Sequence, residues 1–127
     1  MKDSPLNKVV VNVRTQYLDS QSVPENHRFV FAYHITITNH GAKPVQLLRR
    51  HWIITDSNNV VEEVEGEGVI GQQPVIESGH SYDYTSGCIL KTDCGTMEGV
   101  YQMKAHDGTL FDARILPFAL RIPGTLH

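Results

Sequence analysis

Arg28-Phe29-Val30-Phe31-Ala32-Tyr33-His34-Ile35-Thr36-Ile37-Thr38 alternates almost without a break. Phe29, Phe31, Tyr33, Ile35 and Ile37 fall on one side. Arg28, Ala32, His34, Thr36 and Thr38 fall on the other, with Val30 the one apolar residue of that outer set. A period of two marks a strand with one dry face and one wet face. β-branched and aromatic side chains are those that pack well on a pleated surface. Asn39-His40-Gly41 and Pro44 end the run.

The same period extends in both directions. Upstream, Val9, Val11, Val13 and Tyr17 share a face against Asn12, Arg14 and Gln16, and Asp19 to Asn26 has the composition of a loop. Downstream, Val45 to Thr55 predicts a third strand carrying the sole tryptophan, Trp52, and Asp56-Ser57-Asn58-Asn59 is a turn. Val60, Val61 and Val64 predict a short strand before a glycine-rich loop, Gly66 to Gly71, and Pro74 to Glu77 is short and edge-like. His80 to Ser86 places Tyr82 and Tyr84 on one face, and Gly87 to Gly95 reads as mostly connecting structure. Thr96 to His106 puts Met97, Tyr101 and Met103 on one face, Asp107-Gly108 is a hairpin signal, and Thr109 to Leu120 returns, with Pro117 bending it or confining it to an edge.

Seven or eight short, mostly antiparallel strands result, and no segment has helical periodicity. This pattern predicts an all-β chain, an immunoglobulin/fibronectin type III-like β-sandwich, with a small closed barrel as the competing layout. No internal repeat is visible, so residues 1–127 are expected to form one domain with an ordered core over about residues 8–122.

The chain has 127 residues, a net charge of −3 and 40% hydrophobic residues. Its size permits a core without disulfide or metal staples. The charge argues against nucleic acid, which demands clustered Lys and Arg. No apolar run approaches a membrane span, and the polar start Met1-Lys2-Asp3-Ser4-Pro5 is unlike an export signal, so a cytoplasmic, membrane-free location is expected. Cys88 and Cys94 are then expected as thiols. The seven histidines are scattered, and no metal-ligand spacing or nucleophile motif occurs. No catalytic residue, metal site or cofactor is therefore assigned.

Several ordered motifs together resemble the ApaG family. They are Arg50-His51-Trp52-Ile53-Ile54-Thr55-Asp56, the run from Val64 through Gly66, Gly68 and Gly71 to Pro74, Tyr84-Thr85-Ser86-Gly87, Gly95 to Met103, and Phe111 to Leu120 with Ile115, Pro117 and Phe118. The resemblance spans about Val9 to Leu120. One departure is local: Asp93-Cys94 stands where the family usually has a proline. The resemblance implies a fibronectin-like sandwich. It further implies kinship with domains that look like interaction modules in an F-box protein and a polymerase-interacting protein. Bacterial members are small standalone proteins whose genes are associated with that of a diadenosine tetraphosphate hydrolase and which are often labelled as linked to cobalt and magnesium efflux.

Gly66-x-Gly-x-x-Gly71 matches the dinucleotide fingerprint as a string. The fingerprint works through a helix whose N-terminus faces the pyrophosphate, and Pro74, Val75-Ile76 and Ser78-Gly79 leave no room for one. A glycine nest could hold an anion without a helix. Glu62, Glu63, Glu65 and Glu67 crowd the stretch, so a phosphate would need a divalent cation, or Arg49 and Arg50, to offset their charge. Otherwise the glycines serve turns and close packing. Two functional expectations follow. One is a non-catalytic module that presents the loop and a sheet face or edge to an unidentified protein or, as a homodimer, to another copy of itself. The other is a phosphate-ligand or divalent-cation sensor, in which a divalent cation could bridge a phosphate-bearing small molecule to the Gly66 to Gly71 loop, linked indirectly to cobalt and magnesium resistance or diadenosine tetraphosphate metabolism. Its candidate ligand-binding residues are Arg49, Arg50, Gly66, Glu67, Gly68 and Gly71.

Overall fold

The computed structural model describes residues 8–124. Eight strands follow one another: β1 (Val9–Tyr17), β2 (Phe29–Asn39), β3 (Val45–Asp56), β4 (Val61–Glu67), β5 (Val75–Ile76), β6 (Ser81–Leu90), β7 (Cys94–Ala105) and β8 (Leu110–Arg121). Two 3₁₀ turns, Asp19–Gln21 and Pro24–Asn26, lie between β1 and β2. Every strand pair is antiparallel. One sheet has the order β1-β2-β6. The other has the order β4-β3-β7-β8, with β5 added alongside β3. The chain changes sheet between β2 and β3, between β5 and β6, and between β6 and β7, which makes the expected immunoglobulin/fibronectin type III-like sandwich.

The alternation read from the sequence is the packing pattern. Phe31, Tyr33, Ile35 and Ile37 of β2 face Leu47, Trp52, Met97, Tyr101, Met103, Ile115 and Leu120 of the other sheet in one core. Trp52 is 2% exposed and lies at the centre of an aromatic cluster, with ring centroids 5.4 Å from Tyr33, 6.2 Å from Tyr101 and 5.9 Å from Phe118. Edge-to-face contacts of this kind add about 0.5–1.5 kcal/mol each beyond burial.

Three local expectations change. Gly87 to Leu90 is not connecting structure: it continues β6 opposite Phe29 to Ala32, and Cys94 already opens β7. Gly87 fits there because a small residue is tolerated against the Phe31 carbonyl, 3.4 Å from where a Cβ would stand. Val30, read as an outer residue, is buried where the Asp19–Gln21 turn packs on β2; its N–H donates to Ser22 Oγ at 2.9 Å and its carbonyl accepts from Leu18 N–H at 2.8 Å. Gly66 is a strand residue at the end of β4, so the loop proper begins at Gly68. Pro117 behaves as expected, on the edge strand β8, where Leu116 and Pro117 together oppose Glu98 as a bulge.

Asn39 is the one buried polar side chain among the described residues. Its amide donates to the Lys43 and Ile76 carbonyls at 2.8 and 3.0 Å, and its Oδ1 accepts from the Gly41 N–H at 2.9 Å. A residue that reads as a turn signal thus ties the end of β2 to the next loop and to β5.

Candidate functional site

The site originates in one irregularity of β3. Leu47 pairs with Met103 and Arg49 with Gln102, so Leu48 is an extra residue, a bulge. Beyond a bulge the side-chain phase inverts. Val45 and Leu47 point into the core before it, and Trp52 and Ile54 after it. Arg50 shares their phase and faces inward, while Arg49 faces out.

The bulge also marks the gap between β4, which pairs with Arg49 to Thr55, and β5, which pairs with Val45 and Gln46. The chain between them forms a small hairpin. Val69 and Gln72 exchange both backbone hydrogen bonds, at 2.8 and 2.9 Å. Ile70 and Gly71 at its tip have φ of 47° and 73°, the positive pair of a type I′ turn. The Leu48 carbonyl holds the hairpin, accepting from Gly68 N–H at 2.8 Å and from Gln73 Nε2 at 3.0 Å.

Arg50 completes the anchorage. Its Nη1 donates to the Glu67 and Gly68 carbonyls at 3.1 and 3.0 Å. The guanidinium lies across Gly66, where a Cβ would stand 2.7 Å from Nη1. At Gly68 a Cβ would meet the Gln72 carbonyl oxygen at 2.2 Å, and φ is 60° besides. At Gly71 nothing lies within 4 Å, so only its backbone conformation requires glycine. Two of the three motif glycines are therefore occupied by packing, and the amides of Gly68, Val69 and Gln72 are spent inside the fold.

A cleft of about 280 Å³ opens between the sheets beneath this hairpin. Tyr33, Tyr84 and Ser86 line it from one sheet, Arg50 and Trp52 from the other, and Val69, Ile70 and Gly71 roof it. The Tyr84 hydroxyl is hydrogen-bonded to that of Tyr101, which is fully buried behind it. Desolvation raises the pKa of Tyr33, Tyr84 and Tyr101 above the ordinary phenol value. Among the described residues no carboxylate forms an ion pair with Arg50.

The remaining candidates lie elsewhere. Arg49 Nη1 sits 3.9 Å from Glu67 Oε1, and His51 Nε2 is 2.8 Å from Glu63 Oε1, both on the outer face of the β4-β3 pair. The glutamates that crowd the glycine motif in sequence are mostly turned away from the cleft. The candidate set thus divides: Arg50, Gly66, Gly68 and Gly71 come together at the hairpin, whereas the side chains of Arg49 and Glu67 meet on the opposite face.

On the outer face of the other sheet, His34 bridges Thr85 Oγ1 at 2.9 Å and Asp83 Oδ1 at 3.1 Å, and Thr36 donates to the same carboxylate. These bonds from Thr36 and His34 lower the Asp83 pKa. The cluster is exposed, and the strand register accounts for it as a cross-strand polar ladder. Cys88 and Cys94 are free thiols, and burial pushes Cys88 up to about 11. No group of three or more metal-ligating side chains assembles among the described residues. No helix among them is long and apolar enough to cross a membrane.

A sandwich whose conspicuous feature is a glycine-bearing hairpin strapped to a β3 bulge has close counterparts. The family model for the ApaG domain matches residues 19–105. Protein ApaG of Pseudomonas fluorescens (strain SBW25) is 54% identical over 123 residues, covering 97% of this chain and 98% of its own. Protein ApaG of Pseudomonas syringae pv. tomato is 57% identical over 120 residues, covering 94% and 95%. Among solved structures, a structural-genomics target superposes with a TM-score of 0.92 at 45% identity, over 98% of this chain and 94% of that one. A Bordetella pertussis protein designated ApaA gives 0.90 at 45% identity, over 92% and 95%. The chain belongs to the ApaG domain family.

Proposed function

We propose that this protein is a non-catalytic binding module whose β4/β6 margin, crowned by the hairpin of residues 68–72, docks against another protein. The observation that carries this reading is Ile70. It is a β-branched residue held at φ 47°, where such side chains are strained, and it is 61% exposed. Strain of about 1–3 kcal/mol persists only where the surroundings impose it, and it concentrates at functional sites. Here it holds an apolar side chain in water beside a cleft, which is the form of an interface anchor.

The competing reading is a phosphate-bearing ligand, with or without a divalent cation, at the glycine hairpin. Arg50 favours it. The engaged amides of Gly68, Val69 and Gln72 and the guanidinium over Gly66 count against it, because a nest needs donors that are free to turn outward.

Photo-crosslinking in living cells tests the proposal. A photoreactive residue replacing Ile70 is expected to give discrete protein adducts, including adducts to a second copy if the partner is the same chain. The same residue replacing Leu110, exposed on β8, serves as the control. Identical smears from both positions, or no adduct at Ile70, would refute the docking role.

A further inference from the structure

We infer that the cleft beneath the hairpin is a binding site for a single carboxylate group attached to an apolar body. This goes beyond docking of a protein, since a small free acid satisfies it as well.

Arg50 carries a permanent charge into the space between two sheets and meets no carboxylate among the described residues. Its Nη1 is committed to the Glu67 and Gly68 carbonyls, so the guanidinium is held in place while Nε and Nη2 have no hydrogen-bond partner among the described residues. A guanidinium fixed in place with unused N–H groups is a ready partner for an anion. Around it stand the neutral hydroxyl groups of Tyr33, Tyr84 and Ser86. They supply neutral donors and acceptors that fix a ligand's orientation without adding charge. Trp52 and Val69 supply the apolar wall.

The size and the rim select the class. At about 280 Å³ the cleft is at the small end of ligand sites, enough for one side chain or a small acid and too small for a dinucleotide. The Glu67 side chain pairs with Arg49 on the outer face, so the cleft holds a single charge, Arg50, and matches a single negative charge. A planar carboxylate matches the guanidinium edge in shape and charge.

Trp52 is the sole tryptophan of the chain and lines the cleft, so its emission reports occupancy directly. The full-length protein is titrated with 3-phenylpropionate, with its neutral amide 3-phenylpropionamide, and with inorganic phosphate. Backbone amide shifts of Gly68 and Gly71 are followed in parallel. Saturable changes with the acid alone are expected. Arg50→Gln should raise the Kd at least about tenfold, the usual scale of a charged hydrogen bond. Because Arg50 also straps the hairpin, Tyr33→Phe is the second variant, expected to weaken the acid a few-fold with the Gly68 amide resonance unmoved in the free protein. A blocked dipeptide with a free C-terminal carboxylate, against its amidated form, then separates the two sources of such a group. Binding by the dipeptide acid as well as by phenylpropionate indicates a protein C-terminus, and binding by phenylpropionate alone indicates a free small acid. The inference is overturned if acid and amide act alike, if phosphate binds more tightly than the acid, or if the acid leaves Trp52 unmoved at about 50 mM, where a Kd of the order of 10 mM would register.

Discussion

Along one margin of the sandwich β1 lies beside β8, so the first and last strands bring the two sheets together. Along the other, β4 and β6 make no comparable contact, and a short hairpin roofs the space between them. At the end of β2 the one buried polar side chain among the described residues, Asn39, ties the sheet to the next loop and to β5. The open side carries a half-buried cation, two tyrosines that line the cleft and a strained, exposed isoleucine. The open side thus brings together the strained residue, the cation and the cleft on which the proposed docking rests.

Substitutions in the packed frame and at the hairpin should separate accordingly. Asn39→Ala strands two carbonyls and an N–H at the end of β2, and a loss of about 3–4 kcal/mol is expected from three unmade bonds. Denaturant melts measure it; a loss below 1 kcal/mol would remove Asn39 from the frame. Gly68→Ala meets both a backbone oxygen and a positive φ, and about 2–3 kcal/mol is expected because the hairpin can yield part of the way. Amide hydrogen exchange should show that loss concentrated in residues 68–74 rather than spread across β2 and β7. Tyr101→Phe leaves the buried Tyr84 hydroxyl without its partner at a cost of about 1–2 kcal/mol, and the double variant with Tyr84→Phe should cost less than the two singles added. Gly71→Ala, with open space around it, should cost about 1 kcal/mol for conformation alone.

The smallest effect concerns pH. The Asp83 carboxyl is held below its ordinary value by Thr36 and His34, so its contribution is present above the unfolded carboxyl pKa and fades as pH falls through the lowered folded value. Asp83→Asn should flatten the acid limb of the stability curve and leave neutral pH almost unchanged. The opposite sign holds for Tyr33, Tyr84 and Tyr101. Their raised values preserve stability below the unfolded phenol pKa, about 10, and lose it as pH climbs beyond that.

Much of this frame can be read in the amino-acid sequence, because burial of one strand face writes itself as a period of two. β2 and the inward Met97, Tyr101 and Met103 of β7 are legible for that reason. The glycine motif is legible too, and so is its failure as a dinucleotide fingerprint, since Pro74 forbids the helix. The face on which Arg50 lies is not. Arg49 and Arg50 are adjacent and chemically equal, and only the bulge at Leu48, formed by pairing with distant Met103 and Gln102, decides which one turns inward. Nor does the chain announce that Ile70 takes a positive φ, because a β-branched residue is a poor sign of such a turn. The glutamates mislead for a related reason: neighbours along a strand edge alternate between faces, so nearness in sequence overstates their nearness to the cleft.

Those two arginines offer the sharpest test. The Ile70 photo-crosslink is measured in an otherwise unchanged chain, in Arg49→Gln and in Arg50→Gln, with each variant's thermal midpoint recorded to confirm folding. The inward position of Arg50 predicts that Arg50→Gln lowers the discrete adduct at least about tenfold, consistent with the loss of a charged contact, while Arg49→Gln leaves it within twofold. Equal losses from both variants, or a loss from Arg49→Gln alone, would contradict the proposal that the open margin and its half-buried cation are the working face of the protein.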